Sequence, residues 1–492
     1  MALIMRLAIP ASGRAALLPA LLLSGCLAAP RMEPAAVSLP SPPSAQAEAV
    51  AGNVGLSIEP VPQNWWALFN DPLLVELEAA SADNLDLREA AERIGESRAQ
   101  VGLARSALLP TLSASGGYSR AAISENSPLH QLGAPTDGFD TWSVGLGASW
   151  EIDLWGYNRR LNEAARSGLE AAAYGREAVR VSVSAEIART YLLLRGVQAQ
   201  TAITQDNRRI AADLLRMAES RERNGVASRF DTAAARSDLA GIDARLLQLG
   251  HQRDALMNAL ALLLARPPRE LNEKLENGAL PPMPSGLPIG VSSELARNRP
   301  DIRQAEARLR AAVANVGAAK ADFYPRISLG GSLGLAGFRL SELGSWASRE
   351  YALGPTFHLP IFEGGRLRSN LALSDSRQRL AAIDYQRTVL QAWHEVDDAL
   401  GAYETEHKRE AQLRIALAQS ETALEVAQNG YREGSVDFTS VLVARRTLLA
   451  NQAALADSAT SSALSVVAVY RALGGGWSPE LMAGSSPADA AS

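Results

Sequence analysis

The passage VGLARSALLPTLSASGG at residues 101–117 returns 215 residues later as VGAAKADFYPRISLGG at 316–331, with Gly102, Arg105 and Pro110 answered by Gly317, Lys320 and Pro325. In each copy a helical pattern runs into a proline and leaves it as an alternating, strand-like one. The echo continues downstream. RNGVASRFDTAAARSDL at 223–239 is answered by REGSVDFTSVLVARRTLL at 432–449, Gly225 and Gly434 standing 209 residues apart. Two copies at so long a period predict a duplicated module, not a short-repeat solenoid. Each half is expected to run helix, strand, loop, strand, long helix, turn, helix. The expected boundaries are 61–265 for the first repeat, 266–299 for a linker, 300–473 for the second repeat and 474–492 for a disordered tail.

Four segments alternate with period two: about 111–120, 140–153, 326–336 and 351–361. In WSVGLGASWEID (142–153), Trp142, Val144, Leu146, Ala148, Trp150 and Ile152 share one face, against Ser143, Gly145, Gly147, Ser149, Glu151 and Asp153. Segment 351–361 sets Tyr351, Leu353, Phe357, Leu359 and Ile361 against small or polar residues, and 326–336 repeats the scheme. The first segment is the weakest of the four. Trp142 and Trp150 lie about 26 Å apart along a strand rising roughly 3.3 Å per residue. A tilt of about 40° reduces that to near 20 Å, close to the ~25 Å apolar band between the aromatic girdles of outer-membrane barrels. The two tryptophans are therefore candidate membrane-interface aromatics. A soluble sandwich would alternate in the same way.

Four strands are too few to close a membrane barrel, and an open edge in lipid leaves backbone groups unsatisfied. Copies of the chain must then pool their strands. Two would give eight strands and a filled interior; three would give twelve and an open lumen.

From about 157 to 223 and from about 365 to 430 no proline interrupts the helical pattern. At ~1.5 Å rise each run extends roughly 100 Å. Val389, Trp393, Val396, Leu400 and Tyr403 hold 4-3-4-3 spacing, a coiled-coil seam. Gly225 and Gly434 suit the left-handed residue that ends a helix. Ser228 with Asp231 spells a capping box, and Asp437 is the expected N-cap of the last helix.

At the amino terminus, Arg6 and Arg14 precede the apolar run Ala15–Leu23, followed by LSGC at 23–26. The run is too short to span a bilayer and suits a signal peptide over 1–25. Cys26 is the only cysteine, so no intrachain disulfide can form. Its context resembles the lipobox of bacterial lipoproteins, in which the cysteine carries the lipid. Residue 27 is Leu and not Asp, which by bacterial sorting habits favours the outer membrane. The Pro- and Ala-rich stretch over 26–60 is expected to be a tether. Beyond the signal no run of 18 apolar residues appears. A net charge of −5 argues against nucleic acid as a partner. There is no phosphate-binding G-x-x-x-x-G-K-[ST] loop, and HEVDD at 394–398 lacks the second histidine of a zinc helix, so neither catalysis nor a metal is expected. His394, Glu395 and Asp398 are taken as a solvated helix face.

WWALFNDPLL at 65–74, RNRPDIRQAEARL at 297–309, the two turn motifs and the lipobox together resemble the TolC-like outer-membrane factors, in their lipoprotein branch of the OprM and NodT type. The likeness covers roughly residues 60 to 475. It implies a homotrimer: four strands per chain in a 12-stranded barrel, continued by a long periplasmic α-helical barrel. It also implies a passive exit duct for small toxic compounds such as drugs. The partners would be a periplasmic adaptor and an inner-membrane transporter of the resistance–nodulation–division type. The same channel in heavy-metal efflux or type I protein secretion is the alternative cargo, and a periplasmic scaffold of long helices the alternative class. Pro110 and Pro325 would mark the passage from helical wall to barrel wall. The family's aperture motif falls on Thr439, Ser440 and Val443. Many members carry an acid at the position of Val443 or Ser440; this chain has neither. The expectation is a hydrophobic constriction, with Asp231, Asp437 and Arg446 making polar contacts around it.

Overall fold

The computed structural model describes residues 56–477, apart from 58, 135, 227, 285 and 291–298. Cys26, the signal peptide and most of the tether lie outside the described residues. The first repeat contains β1 (Leu56–Ser57), α1 (Pro72–Ala79), α2 (Leu85–Ser106), β2 (Thr111–Ala121), β3 (Phe139–Ile152), α3 (Tyr157–Arg223) and α4 (Arg229–Leu263). After β4 (Leu287–Pro288), the second repeat supplies α5 (Pro300–Ala321), β5 (Arg326–Gly337), β6 (Arg349–His358), α6 (Arg366–Glu433) and α7 (Phe438–Ala472). The duplication is visible in the lengths. α2 and α5 have 22 residues each, α3 and α6 have 67 and 68, and α4 and α7 have 35 each.

The chain forms two compact units. Residues 94–171 and 306–384 make the first, which holds a four-stranded antiparallel sheet in the order β2-β3-β5-β6. The central pair joins the repeats, from Trp142 opposite Gly337 to Ile152 opposite Ile327. One face of the sheet carries the rungs Leu112–Ala148–Gly331–Leu353 and Ala114–Leu146–Leu333–Tyr351. The other carries Ser113–Gly147–Ser332–Ala352 and Ser115–Gly145–Gly334–Glu350. Nothing within the described residues covers the apolar face: Tyr351 is 78% and Leu353 80% exposed. β2 and β6 each pair on one side only, which leaves two open edges. On the small-residue face Gly145 is required by close approach, since a Cβ there would meet the Gly334 Cα and the Leu333 oxygen at 3.2 Å.

Pro110 stands immediately before β2 and Pro325 immediately before β5. The second junction is tied by aromatic stacking. The Trp155 and Tyr324 rings lie 4.9 Å apart, and the Trp155 indole N–H donates to the Pro325 oxygen at 2.8 Å. The buried Asp322 carboxylate holds Arg326 at 2.7 Å and Arg366 at 3.5 Å.

Among the described residues, 56–93, 172–305 and 385–477 make the second unit, which is helical apart from the two-residue parallel pair β1–β4. Trp65 and Phe69 of the WWALFNDPLL stretch are fully buried, Trp65 stacked 5.3 Å from Tyr470 of α7. Asp71 caps α1 by accepting from the Leu73 and Leu74 amides at 2.9 and 3.3 Å, and its other oxygen accepts from the Tyr191 hydroxyl. Ile187, Leu192, Leu260 and Val466 complete a core whose larger side chains each contribute about 1.5–3 kcal/mol by burial. On α6 the seam residues Val389, Leu400 and Tyr403 are buried, and Trp393 and Val396 are half-buried.

Two segments depart from the sequence expectations. Within the expected linker, Leu275, Leu287 and Ile289 are buried in the core, and β4 pairs with Leu56 and Ser57 at the end of the expected tether. In the expected tail, Trp477 is buried with its ring edge-on to Tyr174, so the packed chain extends past Gly474. His394, Glu395 and Asp398 are exposed, as expected of a solvated face, and Glu395 has a partner as well. It receives the buried Arg299 guanidinium at 2.7 Å, which also binds Asp301 and the Ala472 carbonyl. Burial of Arg299 could not stand without such partners.

Candidate functional site

The candidate site lies in the second unit, where α3 turns into α4 and α6 into α7. Both turns close in the same way. Val226 N–H donates to the Arg221 oxygen and Gly225 N–H to the Glu222 oxygen, at 2.9 and 3.0 Å; Ser435 and Gly434 do the same to Gly430 and Tyr431, at 2.9 and 3.2 Å. This paired closure needs a left-handed residue, and Gly225 and Gly434 supply it at φ 73° and 77°. Each following helix is then capped. Ser228 Oγ accepts from the Asp231 amide at 3.4 Å while the Asp231 carboxylate accepts from the Ser228 amide at 3.2 Å. Asp437 accepts from the Ser440 amide at 2.8 Å and from its hydroxyl at 2.7 Å, and these bonds hold its carboxyl below the usual range.

The turns are packed on each other's helices. Tyr431 lies 5.4 Å from Phe438 ring to ring, and the Arg221 guanidinium sits 4.3 Å over the Tyr431 ring. Leu214, Ala218, Leu424, Val441 and Leu442 form the local core. α7 therefore begins with one buried stripe, Phe438, Val441, Leu442, Arg445 and Leu448, and one open stripe. Thr439, Ser440, Val443 and Arg446 share the open stripe, with Val443 58% exposed. The structure brings these four together on one helix face. Asp231 and Asp437 serve as caps of α4 and α7, and Arg446 reaches Asp238 of α4 at 3.4 Å. Asp238 also pairs with the buried Arg445 at 3.2 Å, and Arg445 donates further to the Asn207 carbonyl.

Arg445, Asp238 and Asn207 are not among the residues that the sequence singles out. The doublet Arg445–Arg446 in an apolar helix start is the available signal, since adjacent residues on a helix point about 100° apart and one of the two has to turn inward. Trp142 packs on Tyr118 at 4.5 Å between ring centroids, and the Trp150 indole N–H donates to the Leu108 oxygen at 3.1 Å. The aromatic pair Trp155–Tyr324 is likewise visible only in the fold. Small hydroxyl and apolar side chains on an open helix stripe can narrow an aqueous passage, and Arg446 beside them can charge it.

Comparison with known proteins gives this geometry its context. The family model described as outer membrane efflux protein matches residues 77–266 and 291–475, one segment in each repeat. The chain is 33% identical to the outer membrane protein OprJ of Pseudomonas aeruginosa, over 95% of this chain and 96% of that one. It is 32% identical to the toluene efflux pump outer membrane protein TtgI of Pseudomonas putida, over 93% and 97%. Among solved structures, the outer-membrane channel OprN superposes with a TM-score of 0.84 at 31% identity, over 92% of this chain and 99% of that one. The CmeC outer membrane channel of Campylobacter jejuni gives 0.80 at 28% identity, over 85% and 89%. With both repeats matched and the open sheet and paired helical turns in place, the chain belongs to the outer membrane efflux protein family.

Proposed function

We propose that three copies of this chain form a passive exit duct that carries small toxic organic compounds from a periplasmic pump complex to the exterior. The observation that carries this reading is the open four-stranded sheet, with an uncovered apolar face and two unpaired edges. Such a sheet is satisfied in a bilayer only when copies close it into a ring. Three copies give twelve strands, enough for an aqueous lumen lined by the Ser- and Gly-rich face. A lipid on Cys26 anchors the amino terminus to the outer membrane. The duct is energised from elsewhere, through a periplasmic adaptor and an inner-membrane transporter of the resistance–nodulation–division type. The open stripe of α7, with Val443 at its centre, forms the resting constriction by apolar contact between copies. Organic cargo is favoured over metal ions or protein because relatives of this chain are named for solvent and toluene efflux.

The deciding experiment purifies the lipidated protein in detergent and asks for a heat-sensitive trimer that conducts ions in planar bilayers. A water-soluble, non-conducting monomer would overturn the reading. Susceptibility of a deletion strain to drugs, metals and loss of secreted protein then separates the cargoes.

A further inference from the structure

Within the first unit, three helical stripes converge on a cavity of about 460 Å³. α5 contributes Arg308 and Asn315 together with four alanines on the same face, α6 contributes Asn370 and Arg377, and α3 contributes Tyr157. Small residues make the room. A Cβ built on Gly168, which also lines the cavity, would meet nothing within 4 Å. None of the lining residues is acidic, and two are arginines. Arg308 and Arg377 are both exposed and have no ion-pair partner among the described residues. The acids of the neighbouring cavity, Asp322 and Glu363, are engaged by Arg326 and Arg366.

One wall of the cavity touches a residue of the sheet. Arg326 stands opposite His358 on the small-residue face of the sheet, and its guanidinium lies 4.4 Å over the Tyr157 ring. Tyr157 also lines the cavity, so one wall of the cavity is in contact with a residue of that face. On the channel reading, which this step rests on, that face lines the lumen.

We propose that this cavity is a binding subsite for anionic amphiphiles, molecules that join a carboxylate, sulfonate or phosphate to an apolar body. Two unpaired guanidinium groups match an oxyanion in charge and in planar, two-donor geometry. The Asn315 and Asn370 amides add neutral hydrogen-bonding groups, and the alanine floor takes the apolar body. The volume falls in the range of small-molecule sites, about 300–1,000 Å³. The subsite would hold such molecules briefly in the wall of the duct.

Equilibrium dialysis of radiolabelled cholate against the full-length protein in nanodiscs tests the proposal, with methyl cholate as the uncharged control. The expected result is saturable cholate binding that weakens at least tenfold in the Arg308→Gln/Arg377→Gln variant and is largely kept in the double lysine variant, with methyl cholate unaffected by either. No saturable binding to the wild-type protein, or equal cholate binding by wild type and the glutamine variant, would overturn it. Single-channel conductance of the same preparations separates this failure from failure of the channel reading. Normal conductance with no cholate effect sinks the subsite alone, whereas absent conductance sinks the channel and leaves the dialysis to decide the subsite.

Discussion

Asp238 of α4 and Arg445 of α7 form an ion pair at 3.2 Å although 207 residues separate them, and the Arg445 side chain is only 3% exposed. Burial depresses the basicity of this guanidinium while Asp238 supports it. Asp238→Ala would leave an uncompensated buried charge, at a cost of about 3–5 kcal/mol. Arg445→Met keeps the apolar packing and leaves Asp238 to Arg446, so its cost is expected to be smaller. Limited proteolysis at the helical turns is the measurement: the Asp238 variant should be cut much faster than the Arg445 variant. Equal rates would show that the pair does not hold α4 to α7.

Asp71 serves two partners, capping α1 and accepting from the buried Tyr191 hydroxyl. Asp71→Ala removes a cap worth about 1 kcal/mol and orphans a buried hydroxyl for about 1–3 kcal/mol more. Tyr191→Phe removes the hydroxyl as well as the bond and should cost less. Thermal melts of the two variants, compared with wild type, check this order.

Glu78 of α1 is buried, and burial raises its carboxyl to about 8 against the opposing effects of Ser184 and Arg180. The folded value lies above the ordinary value of 4.5, so the folded state holds the proton more tightly than the unfolded state. Stability from this group is therefore full below about pH 4.5 and declines as pH rises toward 8. The loss is on the order of a few kcal/mol. Glu78→Gln should flatten the dependence and melt above wild type at pH 9. A wild-type melting temperature unchanged between pH 5 and 9 would contradict it.

Val443 lies on the open stripe of α7 beside Thr439 and Ser440. Val443→Asp would place one carboxylate per copy where an apolar contact is proposed, and like charges at short range repel. Single-channel recordings should show a higher resting conductance and a shift toward cations. Unchanged closure and selectivity would remove Val443 from the constriction.

The strands are legible in the sequence because alternation with period two survives in β3, β5 and β6, although β6 ends at His358 and leaves Leu359 and Ile361 of the expected 351–361 segment beyond it. β2 is fainter because Ala114 and Gly116 dilute its apolar face. Helix ends are legible too, since Gly225, Ser228, Gly434 and Asp437 act within a few residues of themselves. Partners across the fold are not. Nothing local marks Asp238, because its role depends on Arg445 being turned inward, and the partner of the exposed Glu395 is hidden because Arg299 lies 96 residues away. Asp231 and Asp437 are legible as caps, because each carboxylate accepts from an amide three residues away. Burial of Trp477 is hidden by the three glycines before it, which suggest an ending while their positive φ values turn the chain back onto the core.

The two unpaired edges, β2 and β6, also have a genetic meaning. Each seam of a closed ring would join the last strand of one copy to the first strand of the next, so a lesion in either edge spoils a neighbour that is itself intact. A proline introduced into β2 should therefore act dominantly when co-expressed with the normal allele, poisoning mixed assemblies, whereas a lesion confined to the α1 cap should be recessive.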